Sequence, residues 1–349
     1  MSTTNSKRDG LLQSIEESLK TKVISYLTGD RPGLATQIGA DVIPRFRRHL
    51  EAIGEVESIS LFLYTRGGDT NVPWRLVNLL REYCTKLAVL VPFRAHSAGT
   101  LISMGADDIV VGKMSELTSI DPSVANPFNP PDPTNPMARV PISVEDVNAF
   151  KELAKRFGVK DEDPAHPEHN AAVFLALASK VEPLALGNVE RAHKQISKLA
   201  ADLLSLHPPK LSKERTDEIV KMLTVGLYSH GHIINRKEAE VIGLNVKMAT
   251  KEVDALLWNL FDDYSNEMEL EKQFNPAQLA LGQAANVRVS AKRAFVESIG
   301  KTDTFVSEGT ITRMQPGAFQ LPPGMQVPPQ LAQVQVAVQF DFEGWKIVR

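Results

Sequence analysis

A chain of 349 residues is long for one hydrophobic core, so a large domain with an appendage is the expected arrangement. Its 39 basic and 42 acidic side chains leave a formal charge of −3, which gives no global field for nucleic acid, and the basic run Arg45, Arg47, Arg48 reads as the solvated face of a helix. The single cysteine, Cys84, excludes an intramolecular disulfide; no apolar run approaches the roughly 18 residues of a membrane span, and the polar residues 1–10 lead into no signal peptide, so a cytoplasmic protein is expected.

Residues 1–20 read as a polar N-terminal segment. Residues 22–27 alternate with helix-period stretches as a first strand, and residues 40–53 carry Ile43, Phe46, Leu50 and Ile53 on one helical face. A buried strand over 58–64 follows, then a helix over 72–84 with the apolar rhythm Leu76, Leu79, Leu80, Cys84. A strand over 86–92, a helix over 101–106 and a strand over 108–112 complete the series. Strands alternating with helices at this spacing predict a parallel sheet with ligands at the C-terminal ends of its strands.

Two of those strand ends carry chemistry. Arg94-Ala95-His96-Ser97-Ala98-Gly99-Thr100 places a serine at a sharp strand-to-helix turn between small neighbours. That geometry exposes the hydroxyl as a nucleophile and aims helix N–H groups, beginning with Ala98, at a developing oxyanion. About thirty residues upstream, Thr65-Arg66-Gly67-Gly68-Asp69 ends the preceding strand, and its glycines can turn N–H groups outward as a second wall of the same hole. Cys84, on an apolar rhythm, reads as a core thiol.

The run of strand, Gly-Gly loop, helix, strand, small-Ser-small-Gly, helix and Asp108-Ile109-Val110-Val111-Gly112 resembles the core of Clp/crotonase-superfamily serine peptidases. The serine dehydrogenase proteinase family and signal peptide peptidase A are the nearest look-alikes, and Met114 to Pro122 resembles the former's pattern ending in Asp-Pro. The resemblance covers roughly residues 20–250 and is specific across 58–122. It implies an α/β fold with a Clp/crotonase-like parallel-sheet ββα spiral core and a helical outer layer. It also implies a serine endopeptidase with Ser97 as nucleophile, Gly67 and Gly68 as oxyanion donors, and no cofactor.

Beyond Asp121, prolines at 122, 127, 130, 131, 133, 136 and 141 make 123–142 an irregular insertion, a lid or partner-docking loop or a passive one. Ser143-Val144-Glu145-Asp146 resembles a capping box opening a helix to residue 157, and further helices read over 169–181, 188–206 and 212–226. Glu238, Ala239, Gly243 and Leu244 match a helix of the form Glu-Ala-x-x-x-Gly-Leu shared by Clp-type and signal peptide peptidases. A histidine precedes that helix in the serine dehydrogenase proteinases, at a place that His230 matches and His232 nearly matches. From about residue 275, alternating stretches over 287–298, 304–314 and 334–342 read as a β-rich appendage over 275–349, separate from a peptidase domain over 21–270.

The general base is open at this level. Clp proteases place a histidine roughly 25 residues beyond the serine, where this chain has Ser119-Ile120-Asp121, so a reordered triad of Ser97, His230 and Asp121 is the expectation. His232 is one alternative. A lysine dyad is another, with Lys151, Lys155, Lys180 and Lys194 on downstream helices. His166, Glu168 and His169 lack a helical pair or acidic cluster, so no metal is expected. A homo-oligomer is expected, with a further protein partner at 123–142 or the β appendage. Acyl-CoA chemistry on a crotonase-like site and an inactive scaffold are the competing functions.

Overall fold

Strands that are apolar on both faces need helices on both sides of their sheet. In the computed structural model, which describes residues 3–313 and 336–349 apart from 122, 125, 136, 141, 157–166, 209, 228–230 and 282–285, they have them. Helix α1 (Thr3–Leu19) opens the described chain and is followed by β1 (Lys22–Thr28), α2 (Ile43–Ile53), β2 (Val56–Tyr64), α3 (Val72–Arg81) and β3 (Cys84–Val91). A two-residue strand β4 (Arg94–Ala95) leads to α4 (Ala98–Met104), β5 (Asp108–Val111) and β6 (Glu116–Thr118). The insertion contributes β7 (Ser123–Val124) and β8 (Ile142–Ser143), and helices α5 (Val144–Arg156), α6 (Pro167–Ala178), α7 (Pro183–Leu204) and α8 (Lys213–Lys221) follow. After a π-helical turn over Met222–Gly226 come β9 (Ile233–Asn235), α9 (Arg236–Ile242), β10 (Val246–Met248), α10 (Lys251–Met268), α11 (Pro276–Ala280), β11 (Asn286–Ser298), β12 (Lys301–Arg313) and β13 (Val336–Ile347).

The result is a mixed α/β fold around an eight-stranded sheet of order β10-β5-β3-β2-β1-β11-β12-β13. The five strands from β10 to β1 run parallel, and β11 to β13 are antiparallel. The side-chain period of two sorts β1 between two cores. Ile24 and Tyr26 face the layer of Phe46, Leu50, Leu76 and Leu101, while Val23 and Leu27 face Leu12, Ile15, Leu260 and Phe261. Helices α2, α3, α4 and α7 therefore cover one face, and α1 and α10 the other.

Several expectations change. Residues 1–20 are mostly helix, and their polar character hides a buried cation: Arg8 pairs with Glu267 at 2.5 Å and lies over the Tyr264 and Phe295 rings. The helix expected over 72–84 stops at Arg81, and Cys84 begins β3 opposite Val56, with its thiol donating back to Leu80 O in the last helical turn. Burial pushes its thiol up to about 11, so it stays protonated at neutral pH. The insertion is less irregular than its prolines suggest: β7 pairs with β8, and Pro131 bridges to Arg139. Ser143 and Asp146 cap α5 reciprocally, the Ser143 hydroxyl accepting the Asp146 N–H at 3.0 Å and the Asp146 carboxylate accepting the Ser143 N–H at 3.1 Å. The C-terminal strands extend the main sheet through β1, with Ser25 to Thr28 opposite Glu297 to Ala294. The Pro/Gly/Gln-rich segment at 315–330 lies outside the described residues. Among those described, no helix is long and apolar enough to cross a membrane.

Candidate active site

The serine loop is built by two short backbone ladders. Ala95 bridges to Thr65 at the end of β2, and β4 pairs on its other side with β6, Ala95 opposite Leu117. The chain then has to reverse into α4, and Ser97 absorbs the change with φ 51° and ψ −109°. Only Lys20 and Glu269 share a positive φ among the described non-glycine residues. A sparsely populated backbone of this kind costs of order 1–3 kcal/mol and persists only where its surroundings over-determine it. Here Gly99 N–H donates to His96 O at 2.8 Å, Leu101 N–H to Ser97 O at 3.1 Å, and Ser97 N–H to the Thr118 hydroxyl at 2.9 Å. Gly99 must be small, because a Cβ there would lie 2.6 Å from the Thr65 methyl. Ser97 itself is half-buried, reachable from solvent.

The Gly-Gly loop faces this elbow. Gly67 has φ 106°, and a Cβ on it would stand 2.9 Å from Ser97 Cβ, so the loop can approach the serine only without a side chain. Gly67 N–H donates to Thr65 Oγ1 at 3.0 Å. Gly68, at φ 148°, is held against Ile38, whose N–H donates to Gly67 O and whose carbonyl accepts from Asp69 N–H. Neither Gly68 N–H nor Ala98 N–H meets an acceptor among the described residues. Of the expected donors Gly67, Gly68 and Ala98, Gly67 commits its N–H to Thr65 and leaves space against Ser97, while the N–H groups of the other two bond to no acceptor among the described residues.

Asp121 is 1% exposed and accepts a 2.5 Å hydrogen bond from the Ser119 hydroxyl. Its segment is tied to the π-helical turn, Ile120 N–H donating to Leu223 O at 2.9 Å. Strand β6 also pairs antiparallel with β9, Thr118 opposite Ile233, which brings the chain after residue 230 against the strand that holds Ser97. His230 lies outside the described residues. His232 has a side chain 38% exposed and bonds to Glu238 at 2.7 Å. Among the lysines, Lys194 pairs with Glu190 on α7 with its side chain 76% exposed, and Lys155 pairs with Glu152 on α5. The Lys151 side chain, His166 and the side chains of Glu168 and His169 fall outside the description. No group of three His, Cys, Asp or Glu among the described residues is placed to hold a metal ion. Gly243 and Leu244 have a plain structural role: Gly243 ends α9 and Leu244 is buried in the main core.

Sequence reasoning missed a charged network behind the elbow. Asp30 accepts from the Tyr64 hydroxyl at 2.6 Å, from Arg66 at 2.9 Å and from Arg94 at 2.9 Å; Arg94 also donates to Glu116 at 2.9 Å, and the His96 ring lies 3.7 Å from Glu116. Burial opposes ionisation of Asp30, but these donors and the Arg94 charge outweigh it and hold its carboxyl below the usual range. No local motif announces this network, since Asp30, Arg66, Arg94 and Glu116 come from separate strand ends.

No protein-family profile matches the chain. Two uncharacterized proteins of Methanocaldococcus jannaschii are similar to it. One is 24% identical over 214 residues, 61% of this chain and 62% of its own length; the other is 24% identical over 248 residues, 69% of this chain and 71% of its own. The match therefore spans under two thirds of the first relative. Among solved structures, a mutant of 1510-N, a membrane-bound stomatin-specific protease, aligns with a TM-score of 0.31 at 16% identity, covering 71% of this chain and 87% of that one.

Proposed function

We propose that this chain is a serine peptidase of Clp/crotonase type that cleaves peptide bonds through an acyl-enzyme at Ser97. The observation that carries the reading is a strained serine elbow approached by the Gly-Gly loop at a glycine that leaves no room for a side chain, with the Gly68 and Ala98 N–H groups bonded to no acceptor among the described residues. Such donors stabilise the oxyanion of an acyl-transfer transition state, and loss of one costs about 10²- to 10³-fold in rate. The unidirectional parallel strands β10 to β1, with the small β4-β6-β9 sheet at their ends, support the spiral core implied by the motifs. On this reading residues 21–270 form the peptidase domain and 275–349 its β extension. Subunit association through the insertion 123–142 or that extension belongs to the same proposal.

For the base we retain the reordered triad. The described chain resumes at Gly231 and pairs Ile233 with Thr118, the residue that accepts Ser97 N–H. Asp121, held by Ser119, is the acid that would orient it. Intact-mass analysis after fluorophosphonate treatment tests the reading: one adduct that maps to Ser97 and is lost in Ser97→Ala supports it. An adduct elsewhere, or equal labelling of the variant, refutes it.

A further inference from the structure

We propose that Thr118 is a positioning residue that couples the nucleophile elbow to Asp121, an assignment that rests on the peptidase reading of Ser97. The Thr118 side chain is buried, and its hydroxyl has two partners with opposite roles. It accepts the Ser97 N–H at 2.9 Å and donates to Ser119 O at 3.1 Å. Ser119 in turn donates its own hydroxyl to Asp121 at 2.5 Å. One continuous set of hydrogen bonds thus runs from the backbone of the strained serine to the buried carboxylate. Thr118 is its middle member and the side chain that accepts the Ser97 N–H.

Accepting that N–H has two consequences. A buried, unpaired N–H would carry a desolvation cost, which would favour relaxation of Ser97 toward an ordinary backbone and move its hydroxyl from its place beside Gly67. The bond also turns the Ser97 N–H into the protein, so the oxyanion site is left to the N–H groups of Gly68 and Ala98. A second buried threonine secures the clamp from the helix side. Thr100 accepts the Thr118 N–H at 3.2 Å and directs its hydroxyl at Ala95 O, 2.9 Å away, and Thr118 O, 3.0 Å away. Thr118 is therefore held at its backbone and free to act only through its hydroxyl. Because β6 continues directly into Ser119 and Asp121, a shift of Asp121 pulls on the same oxygen that sets Ser97.

The test compares Thr118→Val, which keeps the shape and loses the oxygen, with Thr118→Ser, which keeps the oxygen and loses the methyl, in fluorophosphonate labelling of the full chain. The expected result is a fall of about 10- to 100-fold in the maximal labelling rate of the valine variant with unchanged probe affinity, since a small misplacement of a reacting group has an effect of that size. The serine variant should label at the wild-type rate. Thr118→Ala takes the place of valine should that variant fail to fold. A folded valine or alanine variant that labels as fast as wild type, a loss carried by affinity instead of rate, or a slow serine variant overturns the proposal while Ser97 stays the nucleophile. Wild type left unlabelled at Ser97 removes the peptidase reading and this coupling with it.

Discussion

Two serines of this molecule stand in opposite surroundings, Ser298 in a buried hydrogen-bonded array and Ser97 on a strained turn within reach of solvent. At the junction of α2 with the β11–β12 hairpin, His49 Nδ1 lies 2.7 Å from the Ser298 hydroxyl and His49 Nε2 lies 3.1 Å from Asp303. By side-chain connectivity this is a complete Ser–His–Asp array. Yet His49 and Asp303 are 0% exposed and Ser298 4%, Arg48 donates to Asp303 at 2.7 Å, and Ser298 ends a regular strand instead of a strained turn. At Ser97 the reverse holds: the backbone is strained, the serine is half-buried, and the N–H groups of Gly68 and Ala98 bond to no acceptor among the described residues. Triad connectivity alone is a hydrogen-bonding solution for buried polar groups; reactivity needs access and a place for the oxyanion.

The sharpest way to break that comparison is to remove each serine. Ser97→Ala should abolish phosphonylation, and Ser298→Ala should leave its rate unchanged; equal labelling after both changes would erase the distinction. Next in size is Gly68→Val. A Cβ there would meet Ile38 O at 2.4 Å and force the loop out, so acylation should slow by about 10²- to 10³-fold, the worth of one oxyanion donor. Stopped-flow labelling that shows a wild-type rate in the folded variant removes this loop from the mechanism.

The buried array should instead answer in stability. His49→Ala removes the ring's hydrogen bond to a carboxylate that Arg48 still pairs, and loss of a hydrogen bond to a charged group costs about 1.5–3 kcal/mol, visible in denaturant titration, while Ser97 labelling of the folded fraction is retained. Its pH dependence has a definite sign. Burial lowers the His49 pKa more than Asp303 raises it, so the folded state prefers the neutral ring. The stabilisation is therefore fully present above the unfolded value of about 6.5 and is lost as pH falls below it toward the folded value. Asp303, whose carboxyl is held low by His49 and Arg48 against the effect of burial, adds a further loss at still lower pH. Unfolding curves in the His49→Ala variant should lack the first of these losses.

A pair of variants separates the bases. With His230 as base, labelling rises with pH through an inflection near about 6.5, and His230→Ala removes most of it. Lys194→Ala should change nothing measurable, since its ammonium forms only an exposed i,i+4 pair with Glu190. Loss of labelling in Lys194→Ala with His230→Ala active would replace the triad by a lysine dyad.

What the sequence determined by itself was local. Apolar periodicity placed β1, β2, β3 and α2 to within a few residues, and the Gly-Gly and Ser-Ala-Gly segments marked the strand ends that meet, because steric demands at a turn are written in neighbouring residues. The same locality misled at Cys84, where an apolar rhythm ran through a helix end into β3. Only the tertiary structure decided that β11 joins the sheet beside β1, that Thr118 accepts the Ser97 N–H, and that His49 meets Ser298 and Asp303. Those contacts link segments far apart along the chain, and nothing at either end of such a pair signals the other until packing brings them together.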